Sequence, residues 1–214
     1  PAFAADYRVY AGGMRLGDAT LAVRGSAARY KASAALRLSG LARWLFDAEA
    51  TARAEGSMKA GTPEPAHFDT EARFDGDLYR IGMRFTPLPE VTADPPLRER
   101  PYDAAPEAAR GAIDPLSAAV ALCMPLPERA LRGRVVGIYD GRRRVDIAIG
   151  PVRVEPDRLT ATAEIRRVAG FKAKHLARPP ILLALTWARE DGMAILSRAV
   201  ADTPFGAAVV TRRG

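Results

Sequence analysis

His67-Phe68-Asp69-Thr70-Glu71-Ala72-Arg73-Phe74-Asp75-Gly76-Asp77-Leu78-Tyr79-Arg80-Ile81-Gly82-Met83-Arg84-Phe85 decides the fold. Phe68, Thr70, Ala72 and Phe74 alternate with His67, Asp69, Glu71 and Arg73, and Tyr79, Ile81, Met83 and Phe85 alternate with Arg80, Gly82 and Arg84. Successive side chains of a strand point to opposite faces, so this period of two gives each segment one apolar and one polar row. Asp75-Gly76-Asp77 between them supplies the positive φ that a tight turn requires. The stretch is a hairpin with one greasy face.

The same pattern spreads outward. Tyr30, Ala32, Ala34, Leu36 and Leu38 alternate with Lys31, Ser33, Ala35, Arg37 and Ser39. Val135 to Tyr139 and Val145 to Ile149 flank Asp140-Gly141, with Arg142 to Arg144 opening the return strand, and Ile181 to Trp187 and Met193 to Val200 flank Asp191-Gly192. Shorter strands are predicted over Tyr7 to Ala11, Ala19 to Arg24, Asp47 to Glu55, Leu159 to Arg166 and Ala207 to Thr211. In the third of these Ala48, Ala50, Ala52 and Ala54 take the inner positions; propensity alone favours helix, the period favours strand, and a strand so built leaves room on its inner face. One helix is marked by Asp114 as cap and Pro115 at the first helical position, where its missing N–H is harmless, and Pro125 and Pro127 end it after Met124. Six prolines between Thr86 and Ala109 predict a long connecting loop over 86–109. The sum is a mainly β fold: a curved antiparallel sheet forming an open or half β-barrel wrapped around one central helix, with residues 6–214 as a single domain.

The 214 residues are 48% hydrophobic and 27% charged, the composition of a packed globular chain. No run approaches the roughly 18 apolar residues that a membrane-spanning helix needs. The net charge is +7, but of 32 basic residues only Lys31, Lys59, Lys172 and Lys174 are lysines, a bias typical of GC-rich coding; a nucleic-acid role is not predicted. A basic patch favours anionic lipid headgroups or polysaccharide, which makes an anionic membrane surface a candidate peripheral contact. Ala2-Phe3-Ala4 has small residues at the two positions a signal peptidase reads, so residues 1–5 read as a signal-peptide remnant and the expected location is the periplasm. Cys123 is the sole cysteine and sits in an apolar run, which predicts a buried, inert thiol and excludes an internal disulfide.

Recognisable catalytic machinery is absent from the sequence. The two histidines, His67 and His175, have no partners at metal-ligand spacing, and no serine occupies a Gly-x-Ser-x-Gly elbow. Gly12-Gly13-Met14-Arg15-Leu16-Gly17 joins strand to strand and is a hairpin loop rather than a phosphate cradle. No catalytic residue, metal or cofactor is therefore predicted. Two clusters carry the binding readings. Leu41, Trp44, Leu45 and Phe46 are either core or the lip of a greasy pocket. Arg142, Arg143 and Arg144 are either a solvated hairpin tip or a site for phosphate or carboxylate, since each guanidinium is a bidentate fork. Asp114 and Asp140 have structural explanations as cap and turn residue; paired as acid and base, they would be the machinery of a hydrolase or transferase acting on cell-envelope glycans.

Several ordered motifs resemble the bacterial domain of unknown function 3108 family over nearly the whole chain. They are Tyr7 to Gly17, Ser39-Gly40-Leu41 with Trp44-Leu45-Phe46, Gly111 to Ser117, Tyr139 to Arg144, Val168-Ala169-Gly170-Phe171 and Thr203-Pro204-Phe205-Gly206. The resemblance implies a Gram-negative exported protein of β-rich character and unassigned activity. It also implies a pair of cysteines bracketing the Asp-Gly-Arg hairpin in many members, which this chain lacks. By analogy with curled periplasmic sheets, the expected function is non-enzymatic binding of a lipid, a lipoprotein or another envelope protein.

Overall fold

The alternation runs through almost the entire chain. The computed structural model describes residues 2–39, 48–203 and 206–213. Its front half is a meander of β1 (Ala2–Ala11), β2 (Met14–Gly25), β3 (Arg29–Leu38), β4 (Ala48–Lys59), β5 (Thr62–Phe74), β6 (Asp77–Phe85) and β7 (Pro89–Asp94). The back half holds helix α1 (Pro115–Cys123), β8 (Leu126–Pro127), β9 (Val135–Tyr139), β10 (Arg144–Ile149), β11 (Arg153–Val154) and β12 (Arg158–Ala169). After the one-turn helix α2 (Ala173–Leu176) come β13 (Ile181–Glu190), β14 (Met193–Thr203) and β15 (Gly206–Arg212).

One antiparallel sheet runs in the order β7-β6-β5-β4-β3-β2-β1-β15-β14-β13-β12-β10-β9. The first and last strands meet in its middle, and β7 and β9 are edges that do not pair with each other, so the barrel is not closed. The predicted turns are built as their residues require: Asp75 and Gly76 have φ of 49 and 91, and Asp191 and Gly192 have 51 and 74, the two positive values of a type I′ turn. Ala2–Ala5, read from sequence as the signal remnant, form the start of β1 and pair with Arg24–Leu21 of β2.

Three expectations need correction. The connection 86–109 is not all loop, because Pro89–Asp94 is β7. Counting outward from the two-residue turn, Glu90, Thr92 and Asp94 bond to β6, so the nitrogen of Pro89 faces the open edge, where no donor is needed. The β9–β10 return strand begins at Arg144, since Arg142 and Arg143 belong to the turn and donate their N–H groups to Asp140 Oδ1 at 2.9 and 2.7 Å. His175, in the basic stretch Phe171–His175 that the sequence marks as an exposed loop, lies in the one-turn α2.

Two large buried clusters make most of the core, with a small third of Ala118, Ala121 and Val136. One collects the inner side chains of β1–β6 with Leu116 and Val120 of α1; the other lies under β10, β12, β13 and β14 and includes Leu159, Trp187, Leu126 and Leu131. Helix α1 touches β3, β4, β5, β9 and β14 and buries Leu116, Ser117, Ala118, Val120 and Ala121. Among the described residues no helix is long and apolar enough to cross a membrane.

Candidate functional site: an open apolar rim and a stapled corner

Among the described residues, the inner face of the front strands is buried at one end and partly exposed at the other. Strand pairing aligns its side chains in rows. The row Ala32–Ala54–Phe68–Met83 lies in the core at 5%, 4%, 4% and 3% exposure. The next row, Ala34–Ala52–Thr70–Ile81, is half-buried. In the third, Leu36–Ala50–Ala72–Tyr79, the large side chains Leu36 and Tyr79 are 41% and 45% exposed. Four residues of strand, roughly 14 Å, separate the covered row from the open one. Across the sheet the row Ala11–Ala208–Ala201–Leu183, half-buried throughout, continues the same end. Ala50, Ala52 and Ala72 put little side-chain bulk on these rows.

Of the residues singled out from sequence, Leu41, Trp44, Leu45 and Phe46 lie outside the described residues. The three arginines divide. Arg142 is mostly buried, and its Nη2 donates to Asp103 Oδ2 at 3.0 Å and to the Arg98 carbonyl, while its own carbonyl accepts from Ala104 N–H. Arg144 donates from Nη1 to the carbonyls of Ala108 and Arg110, both at 2.9 Å, and from Nε to Asp146 at 2.9 Å. Both are therefore engaged in holding the Pro-rich connection against the β9–β10 hairpin. Only Arg143 is exposed, its guanidinium 5.5 Å from the Phe171 ring centroid. Replacing Arg144 with alanine removes two charge-assisted tethers, so trypsin cleavage after Arg98 or Arg110 is expected to quicken about tenfold while global melting moves little; unchanged digestion would show that the tethers are dispensable.

Asp114 and Asp140 stand in different environments. Asp114 is 0% exposed, accepts from the Ser117 N–H at 2.8 Å, and takes the Ser117 hydroxyl on its second oxygen. The Tyr30 hydroxyl lies 2.5 Å from Ser117 Oγ, so a chain of polar groups ties β3 to the first turn of α1. Burial pushes Asp114 above the ordinary carboxylate range against the pull of its bonds to Ser117, and burial raises Tyr30 as well. Asp140 is exposed and engaged in its turn. No cleft among those described is lined by both carboxylates. Tyr30 and Ser117 were not singled out by sequence reading; the one available signal was a hydroxyl three residues after a capping aspartate.

Residues 6–211 match the family model described as Protein of unknown function (DUF3108). The chain belongs to that family. No curated protein matches the DUF3108 chain. A solved structure similar to it is the crystal structure of a beta-barrel-like protein of domain of unknown function DUF1849 from Brucella abortus, at 12% identity and a TM-score of 0.53, covering 100% of this chain and 95% of that one. At that identity the likeness concerns the fold alone.

Two further features of the DUF3108 chain bear on chemistry. Burial pushes the Cys123 thiol up to about 11, with the Tyr7 hydroxyl as its neighbour, so it is protonated and unreactive at neutral pH. A groove of about 1580 Å³ runs along the outer face of β2–β5, but its charges alternate in sign, and Lys31 and Glu55 pair across it at 2.9 Å. His67 lies there on the exposed side of β5.

Proposed function

We propose that this DUF3108 chain is a non-enzymatic periplasmic envelope protein whose open rim holds the apolar part of an amphipathic envelope component, a lipid or the acyl chain of a lipoprotein. In this reading the sheet curls about α1 as a central plug, and the helix forms the floor of the site. The observation that carries it is the Leu36–Ala50–Ala72–Tyr79 row, an apolar surface that continues the core face and whose large side chains Leu36 and Tyr79 are exposed. Apolar recesses with few polar groups are typical of ligand sites. The periplasmic part rests on the Ala2-Phe3-Ala4 triplet and the export that the family resemblance implies; cleavage after Ala4 would leave Ala5 to open β1.

Extraction of protein purified from its native host, followed by mass spectrometry, is expected to recover lipid. A fluorescent fatty acid serves as a second probe. Leu36→Asp puts a charge on the rim and Ala50→Phe fills it, and each is expected to weaken probe binding by at least about tenfold, the equivalent of 1.4 kcal/mol. Both positions lie outside the buried core, so melting should hold steady. Extracts without lipid, together with no uptake of the probe, would sink the lipid reading in favour of a protein partner on the same rim.

A further inference from the structure

The β12–β13 connection gathers positive charge at the rim where the apolar rows open. Pairing fixes this placement: Ile165 faces Ile181, Leu183 faces Ala201, Ala201 faces Ala208 and Ala208 faces Ala11, so the end of β12 lies at the same end of the sheet as the end of β3. From Ile165 to Arg189 the chain has no Asp or Glu, yet Arg166, Arg167, Lys172, Lys174 and Arg178 fall within it. Two of the four lysines of an arginine-biased chain are here, which general coding bias does not explain.

Arg166 is paired with Glu164 at 2.7 Å, whereas Lys172, Lys174 and Arg178 are exposed and appear in no ion pair among the described residues. Lys172 sits 5.6 Å from the Tyr102 ring centroid. Gly170, at φ +85, packs this connection on the β9–β10 tip: a Cβ there would strike the Arg142 carbonyl and come within 2.6 Å of Arg143 Cα. Arg143 thereby joins the same corner, where the acids Asp103 and Asp140 are already engaged by Arg142 and by turn N–H groups. His175 is held below its ordinary value by loss of solvent first and then by the positive charges of Arg178, Lys174, Arg167 and Lys172. Exposed apolar side chains stand among them: Val168 at 43%, Leu176 at 43% and Leu182 at 57%.

We propose that this corner docks the rim onto an anionic lipid bilayer, with Lys172, Lys174 and Arg178 on the headgroup phosphates and Leu176 and Leu182 in the acyl boundary. Cations interspersed with exposed leucines are the combination that binds a membrane interface, charge drawing the surface in and apolar area holding it. The docking surface stands on its own residues and is independent of what the rim contains.

Co-sedimentation with vesicles of phosphatidylcholine alone, and of equimolar phosphatidylcholine and phosphatidylglycerol, tests it. Binding is expected only to the second and to weaken as salt rises. The triple variant Lys172→Gln, Lys174→Gln, Arg178→Gln is expected to bind roughly a hundredfold more weakly, at about fivefold per cation removed. Leu176→Ser with Leu182→Ser is expected to weaken binding at every salt concentration. A matched triple at the opposite end of the strands, Arg24→Gln, Arg29→Gln, Arg132→Gln, should stay within about fivefold, the effect of a single surface cation. All six charge positions are exposed, so the far-UV spectrum should not change. Equal loss in the two triples, absence of vesicle binding, competition by inorganic phosphate alone, or preference for duplex DNA with the same residue dependence would each overturn the proposal. Loss of vesicle binding with fatty-acid uptake intact separates this surface from the rim site.

Discussion

Trp187→Ala is expected to lower stability by about 3–5 kcal/mol, the range for removing a large aromatic from a packed interior. Trp187 is 0% exposed on β13 and paired on its flanks with Leu159 at 0% and Leu196 at 7%, so neighbouring strands cannot collapse into the space it leaves. For a chain of this size the melting temperature should fall by roughly 6–20 °C. The indole makes a second variant informative. Its Nε1 is buried without a hydrogen-bond partner among the described residues, and an orphan donor carries a penalty of about 1–3 kcal/mol. Trp187→Phe loses packing but also removes that penalty, so its effect should be much smaller, about 1–2 kcal/mol. Denaturant titration followed by circular dichroism measures both. A phenylalanine variant as damaged as the alanine one would mean that the indole N–H is satisfied in solution.

Sequence reading found the strands because most are half-buried, and half-burial is what writes alternation into a chain. It missed the first half of β5, which carries Pro63 and Pro65 and so departs from ordinary strand composition; Pro63 is buried, and the pairing shifts register between Glu55 and Gly56. A close approach enforces that shift, since a Cβ on Gly56 would come within 2.8 Å of Pro65 Cα. Helix α2 was invisible because four residues cannot display a helical period. The Arg142 and Arg144 contacts reach back 34 to 44 residues, largely to backbone carbonyls, which carry no side-chain signature. The Tyr30–Ser117 contact spans 87 residues and was equally hidden. The open rim, by contrast, was legible in part. A nine-residue helix is roughly 13.5 Å long and the 10- to 13-residue strands around it span roughly 34–44 Å, so one helix could never cover the inner face that alternation defines.

That one helix is held by the buried polar chain at its start, which makes Asp114→Ala the other variant of large effect. Truncation deletes the cap, which leaves the Ser117 N–H unsatisfied, and removes the acceptor of the Ser117 hydroxyl where water does not reach, while Tyr30 keeps Ser117 Oγ as its partner. The lost cap, the Ser117 N–H included, is worth about 1 kcal/mol and the abandoned hydroxyl about 1–3, so a total loss of about 2–4 kcal/mol is expected. Asp114→Asn keeps an acceptor for the N–H and an atom opposite the hydroxyl, which can rotate to suit, so it should lie near wild type. The two acids then differ in their response to pH. Burial raises Asp114 in the folded state, so folding favours its protonated form. Its contribution is complete below the unfolded value of about 3.9 and is lost as pH climbs through the higher folded value. The stability of wild type minus that of Asp114→Asn should therefore decline with rising pH above about 4 and level off once the folded carboxyl has ionised. Urea melts of both proteins across that range read the difference directly. A difference that grew with pH would mean that the ionised carboxylate is the form the fold prefers, and the buried chain would have to be read as a stabilised anion instead of a cap that burial holds against its charge.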